Sequence, residues 1–149
     1  MTTNRTIPGA RLASTKVLVV NDDHNMRKQI RSLLRVIGFQ NIHEAANGPT
    51  GLDIIRAIAP NVIILDWEMG LDGERFVQAV RSPGISAKSD VPIIMLISLA
   101  SQGRVTDAAL FRATKFLIKP VSLQSLAEGI AAVIEVTNEP WRAVLEIAN

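Results

Sequence analysis

The sequence predicts a doubly wound α/β domain built on a parallel sheet. Short apolar runs at 17–20, 62–65, 93–97 and 116–118 are nearly continuous and rich in branched residues, as befits strands covered on both faces. Between them lie stretches whose apolar residues recur at helical spacing. With 149 residues, 48% of them apolar, the chain suffices for one packed core and is too short for two domains of ordinary size.

The first strand at 17–20 leads into a helix in which Met26, Ile30, Leu33, Leu34 and Ile37 share a face and Gly38 provides a stop. A weaker strand at 41–45 alternates polar and apolar residues, as near a sheet edge. Asn47-Gly48 then reads as a turn and Pro49 as a first-turn residue of a second helix, whose buried face is Leu52, Ile55 and Ala59 and whose end is Pro60. After the strand at 62–65, Phe76, Val77 and Val80 predict a short third helix. After the strand at 93–97, residues 102–111 form a fourth. The strand at 116–118 precedes a fifth helix that starts near Ser122 and buries Leu123, Leu126, Ile130, Val133 and Ile134.

Five such units with right-handed crossovers give a flavodoxin-like (βα)5 sheet of expected order 2-1-3-4-5. The chain reverses direction between strands 1 and 3, and ligands in such folds bind outside the carboxyl ends of the strands at that point. Residues 1–15 are polar and read as a flexible tail, 16–137 as the domain. Residues 138–149 read as an extension, with a short helix from Pro140 carrying Trp141, Val144, Leu145 and Ala148 on one side.

Composition removes several classes of function. The absence of cysteine excludes disulfides, thiolate metal sites and a thiol nucleophile. A net charge of +2 with scattered basic residues gives no stripe for DNA. No apolar run approaches the length of a membrane span, so a cytoplasmic protein is expected. The chain has neither a Gly-rich phosphate loop nor a Gly-x-Ser-x-Gly elbow, and His24 and His43 are too isolated for a metal cluster.

The expected strand order brings Asp22, after strand 1, next to Asp66, at the end of strand 3. Neighbouring carboxylates repel unless a cation or proton joins them, and Mg²⁺ suits a site with few carboxylates, a main-chain oxygen and an incoming phosphoryl group. Lys119 ends the last apolar run, so a buried strand delivers an ammonium to the same edge, where phosphoryl transfer needs positive charge.

The stretches Val17-Leu18-Val19-Val20-Asn21-Asp22, Ile64-Leu65-Asp66-Trp67-Glu68-Met69 with Asp72-Gly73, Val91-Pro92-Ile93-Ile94-Met95-Leu96 and Phe116-Leu117-Ile118-Lys119-Pro120 follow in an order and spacing that resemble the receiver domains of bacterial two-component response regulators. The resemblance covers about residues 16–136 and is closest in kind to stand-alone chemotaxis receivers. It implies that Asp66 accepts a phosphoryl group from a histidine kinase or phosphotransfer protein. It further implies that Asp22, Asp66 and the backbone carbonyl of Glu68 hold Mg²⁺, that Lys119 contacts the phosphoryl group, and that the Lys119-Pro120 bond is cis.

Three departures from the pattern stand out. Asn21 replaces the first of the usual two acids, which weakens the expected Mg²⁺ affinity. Ile97 takes the place of the switch Thr or Ser; Ser98 is adjacent, but a one-residue shift along a strand reverses the side chain unless a bulge intervenes. The segment 69–73 is one residue short and has Gly70 where Pro is common. Beside these three, Phe116 occupies the aromatic switch position, without the hydroxyl of the frequent tyrosine.

The resulting expectation is a single-domain response regulator, with self-phosphorylation and slow autodephosphorylation as its only catalysis. The residues after the fifth helix are too few to fold an output domain, so output is expected through contact with a downstream protein, around the fourth helix, fifth strand and fifth helix, or through onward phosphoryl transfer. Dimerisation through that face or through Trp141 is left open. The alternative is a degenerate receiver that binds proteins independently of phosphorylation.

Overall fold

The computed structural model describes residues 12–69, 72–84, 90–100 and 113–134. The predicted fourth helix, the C-terminal extension with Trp141, and Gly70 in the shortened loop lie outside these residues. In chain order the elements are β1 (Lys16–Val20), α1 (His24–Ile37), β2 (Asn41–Ala45), α2 (Gly48–Ile58), β3 (Val62–Asp66), α3 (Asp72–Arg81), β4 (Ile93–Ile97), β5 (Lys115–Ile118) and α4 (Leu123–Val133). The five strands are parallel in the order β2-β1-β3-β4-β5. This is the flavodoxin-like architecture expected from the sequence.

Side-chain alternation divides the core into two layers. Val17, Val19, Val62, Ile64, Ile94, Leu96 and Leu117 pack against α1 and α4 through Ile30, Leu34, Leu126 and Ile130. Leu18, Val20, Ile63, Leu65, Ile93, Met95 and Ile97 pack against α2 and α3 through Ile55, Phe76, Val77 and Val80. All residues of β3 and β4 are buried, which explains their continuous apolar runs.

The helices begin and end where their local chemistry dictates. Asp23 caps α1 by accepting from the N–H groups of Asn25 (2.9 Å) and Met26 (3.3 Å). Gly38, at φ 129°, closes that helix with its N–H on the Leu34 carbonyl. Asn47 caps α2 through the Thr50 N–H at 2.8 Å, and Ser122 and Ser125 form a capping box on α4. On the outer side of α1, Arg27 and Arg31 both pair with Glu44 of β2. Burial raises the Glu44 pKa, but the hydrogen bonds and charges of Arg31 and then Arg27 outweigh it and hold the carboxyl below its usual range.

Two close approaches fix the layers. Leu12, assigned to the loose tail on sequence grounds, is helical and only 1% exposed in the α1 layer, and a Cβ on Gly38 would meet its Cδ1 at 3.0 Å. The packed unit therefore extends to residue 12. The few apolar residues of this stretch show no periodicity to announce the burial of Leu12.

On the other face, α2 crosses α3 closely at Gly51, where a Cβ would lie 2.8 Å from Phe76 Cε1 and 3.3 Å from Val20 Cγ2. Gly51→Val is accordingly expected to destabilise the domain by about 1–3 kcal/mol through overpacking, read as a lower urea midpoint at unchanged slope.

Candidate functional site

The site forms where β1, β3, β4 and β5 end. Beyond the last residue of β1, the Asn21 N–H continues the ladder to the Ala45 carbonyl, and Asn21 comes to lie beside Asp66, one step past the Val20 and Leu65 pair. The Lys119 N–H likewise extends β5 by bonding the Ile97 carbonyl at 2.7 Å. By alternation Asn21, Asp66 and Lys119 all project on the face that carries α1 and α4.

Asp66 is 5% exposed at the end of a strand buried along its whole length. Its Oδ1 accepts the Glu68 N–H at 2.9 Å, a local turn that brings the chain round above the strand. Both its oxygens accept from Lys119 Nζ, at 3.1 and 3.3 Å. The same ammonium lies 2.5 Å from Glu68 Oε1. Burial depresses the Lys119 pKa, but the hydrogen bonds it donates to Glu68 and Asp66 and the charge of both carboxylates more than offset it, so the group titrates above an ordinary lysine. The bond from Lys119 to Pro120 is cis, as expected.

Asn21 is fully buried. Its Oδ1 accepts the Asp23 N–H at 2.9 Å, which orients the amide, and its Nδ2 has no partner. Its carbonyl accepts from Arg27 at 2.7 Å, which ties the end of β1 to α1. Asp22 is exposed beside it, and the helix cap is supplied by Asp23, not Asp22. His24 and His43 are engaged by Arg27 and Asn41.

Ile97 is 1% exposed and belongs to the α2 and α3 layer, against which Phe116 also packs, half-buried. The register from Ile94 with Lys115 to Ile97 with Ile118 runs without a bulge. Ile97 and Phe116 therefore lie on the face opposite Asp66. Ser98, one residue on, turns to the site: its N–H donates to Glu68 Oε2 at 3.3 Å and its hydroxyl donates to the same oxygen.

The Glu68 side chain thus bridges Lys119 and Ser98. The sequence reading assigned a role only to its carbonyl. The available signal was the placement of a second acid two residues after Asp66, but its partners depend on where β4 and β5 end relative to each other.

The family model for the response regulator receiver domain matches residues 17–131. The chain belongs to that family. This receiver domain is 32% identical over 124 residues to the chemotaxis protein CheY of Pseudomonas aeruginosa, covering 83% of this chain and 98% of that protein. It is 27% identical over 121 residues to chemotaxis protein CheY-3 of Vibrio cholerae, covering 80% and 92% respectively.

Among solved structures, the chemotaxis response regulator CheY4 of Vibrio cholerae superposes with a TM-score of 0.71 at 29% identity, over 80% of this chain and 98% of that one. A response regulator from Chloroflexus aurantiacus, described as putative, superposes at 0.72 and 25% identity, over 80% and 96%. Receiver domains of this kind serve two-component signalling, are not classical enzymes, and generally bind Mg²⁺ at the phosphorylation site. Among the described residues, no helix is long and apolar enough to cross a membrane.

The donors of this receiver domain fit such an ion with a reduced set. Among the described residues, no three acidic, His or Cys side chains gather into a metal cluster. Asn21 Oδ1 is committed to Asp23, and its Nδ2 is a donor that a cation cannot use. There remain the Asp66 and Asp22 carboxylates and the Glu68 carbonyl, few enough ligands for an ion that keeps several waters.

Proposed function

We propose that this receiver domain is a single-domain response regulator that accepts a phosphoryl group on Asp66 from a histidine kinase or phosphotransfer protein. It acts in the cytoplasm and signals through contact with a downstream protein. The observation that carries this reading is the direct hold of Lys119 Nζ on both oxygens of a nearly buried Asp66 at the carboxyl edge of a parallel sheet.

In the reaction, one Asp66 oxygen attacks phosphorus. The bond from phosphorus to the donor's nitrogen or oxygen breaks, its electron pair leaves with the donor group, and an acyl phosphate forms. Lys119 donates to the phosphoryl oxygens, whose charge grows as the group transfers in line. Asp22, Asp66 and the Glu68 carbonyl would hold Mg²⁺, which supplies further charge neutralisation when bound. The Glu68 N–H on Asp66 Oδ1 and the Lys119 ammonium hold the carboxylate in one orientation, leaving the reacting oxygen to be selected by the approach of the donor.

The test is incubation with Mg²⁺ and acetyl phosphate followed by intact-mass measurement. A single phosphoryl mass is expected on the wild-type chain and none on Asp66→Asn. No adduct on the wild type, with a histidine-kinase donor as well, would overturn the reading.

Burial of Ile97 away from the site and the loss of an acid at Asn21 favour a second reading, a receiver-shaped module that binds its partner independently of phosphorylation. That reading requires partner binding unchanged by Asp66→Asn.

A further inference from the structure

The contacts of Glu68 are those a phosphoryl group would need. One carboxylate oxygen lies on Lys119 Nζ, which also holds Asp66, and the other takes both the N–H and the hydroxyl of Ser98. Lys119 comes from the end of β5 and Ser98 from the residue after β4, so the Glu68 side chain draws together two strand ends beside the acceptor. A backbone N–H and a hydroxyl aimed at one oxygen form an oxyanion-binding pair, and here a carboxylate is what they bind. The Glu68 side chain is 26% exposed against 7% for Asp66, so it is the more open of the two to water.

A phosphoryl group on Asp66 adds three acceptor oxygens and nearly two negative charges within reach of the same ammonium. Glu68 and that group cannot both keep these donors at close range, since like charges repel and Ser98 has one hydroxyl hydrogen to give. We propose that the Glu68 carboxylate is a built-in stand-in for the phosphoryl group, displaced from Lys119 and Ser98 when Asp66 is phosphorylated, and that Ser98 supplies the switch hydroxyl that Ile97 lacks. This rests on Asp66 being the acceptor. The receiver would then start from a self-occupied state, and phosphorylation would exchange one anion for another and release Glu68 to solvent.

The proposal is tested with beryllofluoride, a tetrahedral phosphoryl analogue, at Mg²⁺ concentrations shown to saturate each variant, with the fluorescence of Trp67 as the readout. Trp67 lies between the two acids in the chain, and its side chain is buried in the α2 and α3 layer directly behind them. Glu68→Gln weakens the internal competitor by removing its charge and is expected to bind beryllofluoride about ten-fold more tightly than wild type. Glu68→Ala, which removes the acceptor oxygens as well, should gain at least as much. Adding Ser98→Ala to Glu68→Gln should return most of that gain, because the hydroxyl is then missing from the bound state.

Binding to wild type with no gain in either Glu68 variant overturns the stand-in role alone. A gain that survives Ser98→Ala overturns the role of the hydroxyl. Absence of beryllofluoride binding and of a phosphoryl adduct in every variant overturns the acceptor reading, and this proposal with it.

Discussion

Lys119→Met is expected to slow phosphoryl uptake from acetyl phosphate about 100-fold, the lower end of the cost of losing one charge-stabilising donor. It should also destabilise the fold by about 3 kcal/mol, because removing the ammonium from a buried ion pair leaves the Asp66 carboxylate buried without it. Lys119 is the cation that faces both Asp66 and Glu68, and its side chain is only 15% exposed. Methionine keeps the apolar stem and removes the ammonium, so the loss reports charge and not volume.

The pH dependence follows from the direction of the lysine's shift. Its folded pKa is raised, so its stabilising contribution is complete below the unfolded value of about 10.4 and is lost as pH rises through the folded value. The gap in urea stability between wild type and Lys119→Met should therefore be constant near neutrality and close above about pH 10.4. A gap that persists into that range would mean the lysine stabilises by packing.

Asn21→Asp should invert the dependence of the fold on Mg²⁺. The substitution is nearly isosteric, but it puts a second carboxylate at a fully buried position beside Asp66 and removes an amide hydrogen that has no acceptor. Without metal the variant is expected to lose about 2 kcal/mol, the cost of a buried charge without its own counterion after partial relief by protonation. With metal the added ligand should raise Mg²⁺ affinity about ten-fold, and a ligand at 100 times its Kd returns about 2.7 kcal/mol. Urea midpoints of the two proteins should therefore cross as Mg²⁺ is titrated. Parallel curves would mean that the Asn21 position does not face the ion.

The sheet, its order and the two-layer core were legible because β3 and β4 are buried on both faces and so carry unbroken apolar runs. The turn at Asn47-Gly48, the helix start at Ser122 and the stop at Gly38 were legible because each is a local contest for backbone hydrogen bonds. Leu12 was not, since its burial is decided by the gap that Gly38 leaves. At the site, the juxtaposition of Asp66 and Lys119 followed from strand order alone. The Glu68 bridge did not, because Ser98 and Lys119 meet one side chain only through the in-register ending of β4 and β5. The side of the sheet on which Ile97 falls was not legible: the switch alignment put Ile97 at the site and turned Ser98 away, whereas the register without a bulge buries Ile97 in the α2 and α3 layer and turns Ser98 to Glu68.

That parity makes the sheet an insulating wall. The anion chemistry of Asp66 and Lys119 belongs to one layer, whereas Ile97 and Phe116 sit in the other. Ser98 stands at the only step where β4 leaves one layer's bookkeeping for the other: its hydroxyl faces the acid, and its peptide joins directly to Ile97. An event at Asp66 sensed by Ser98 would then cross the wall as a main-chain displacement at the Ile97-Ser98 peptide, a lever arm one residue long, in place of a side chain swinging through the sheet.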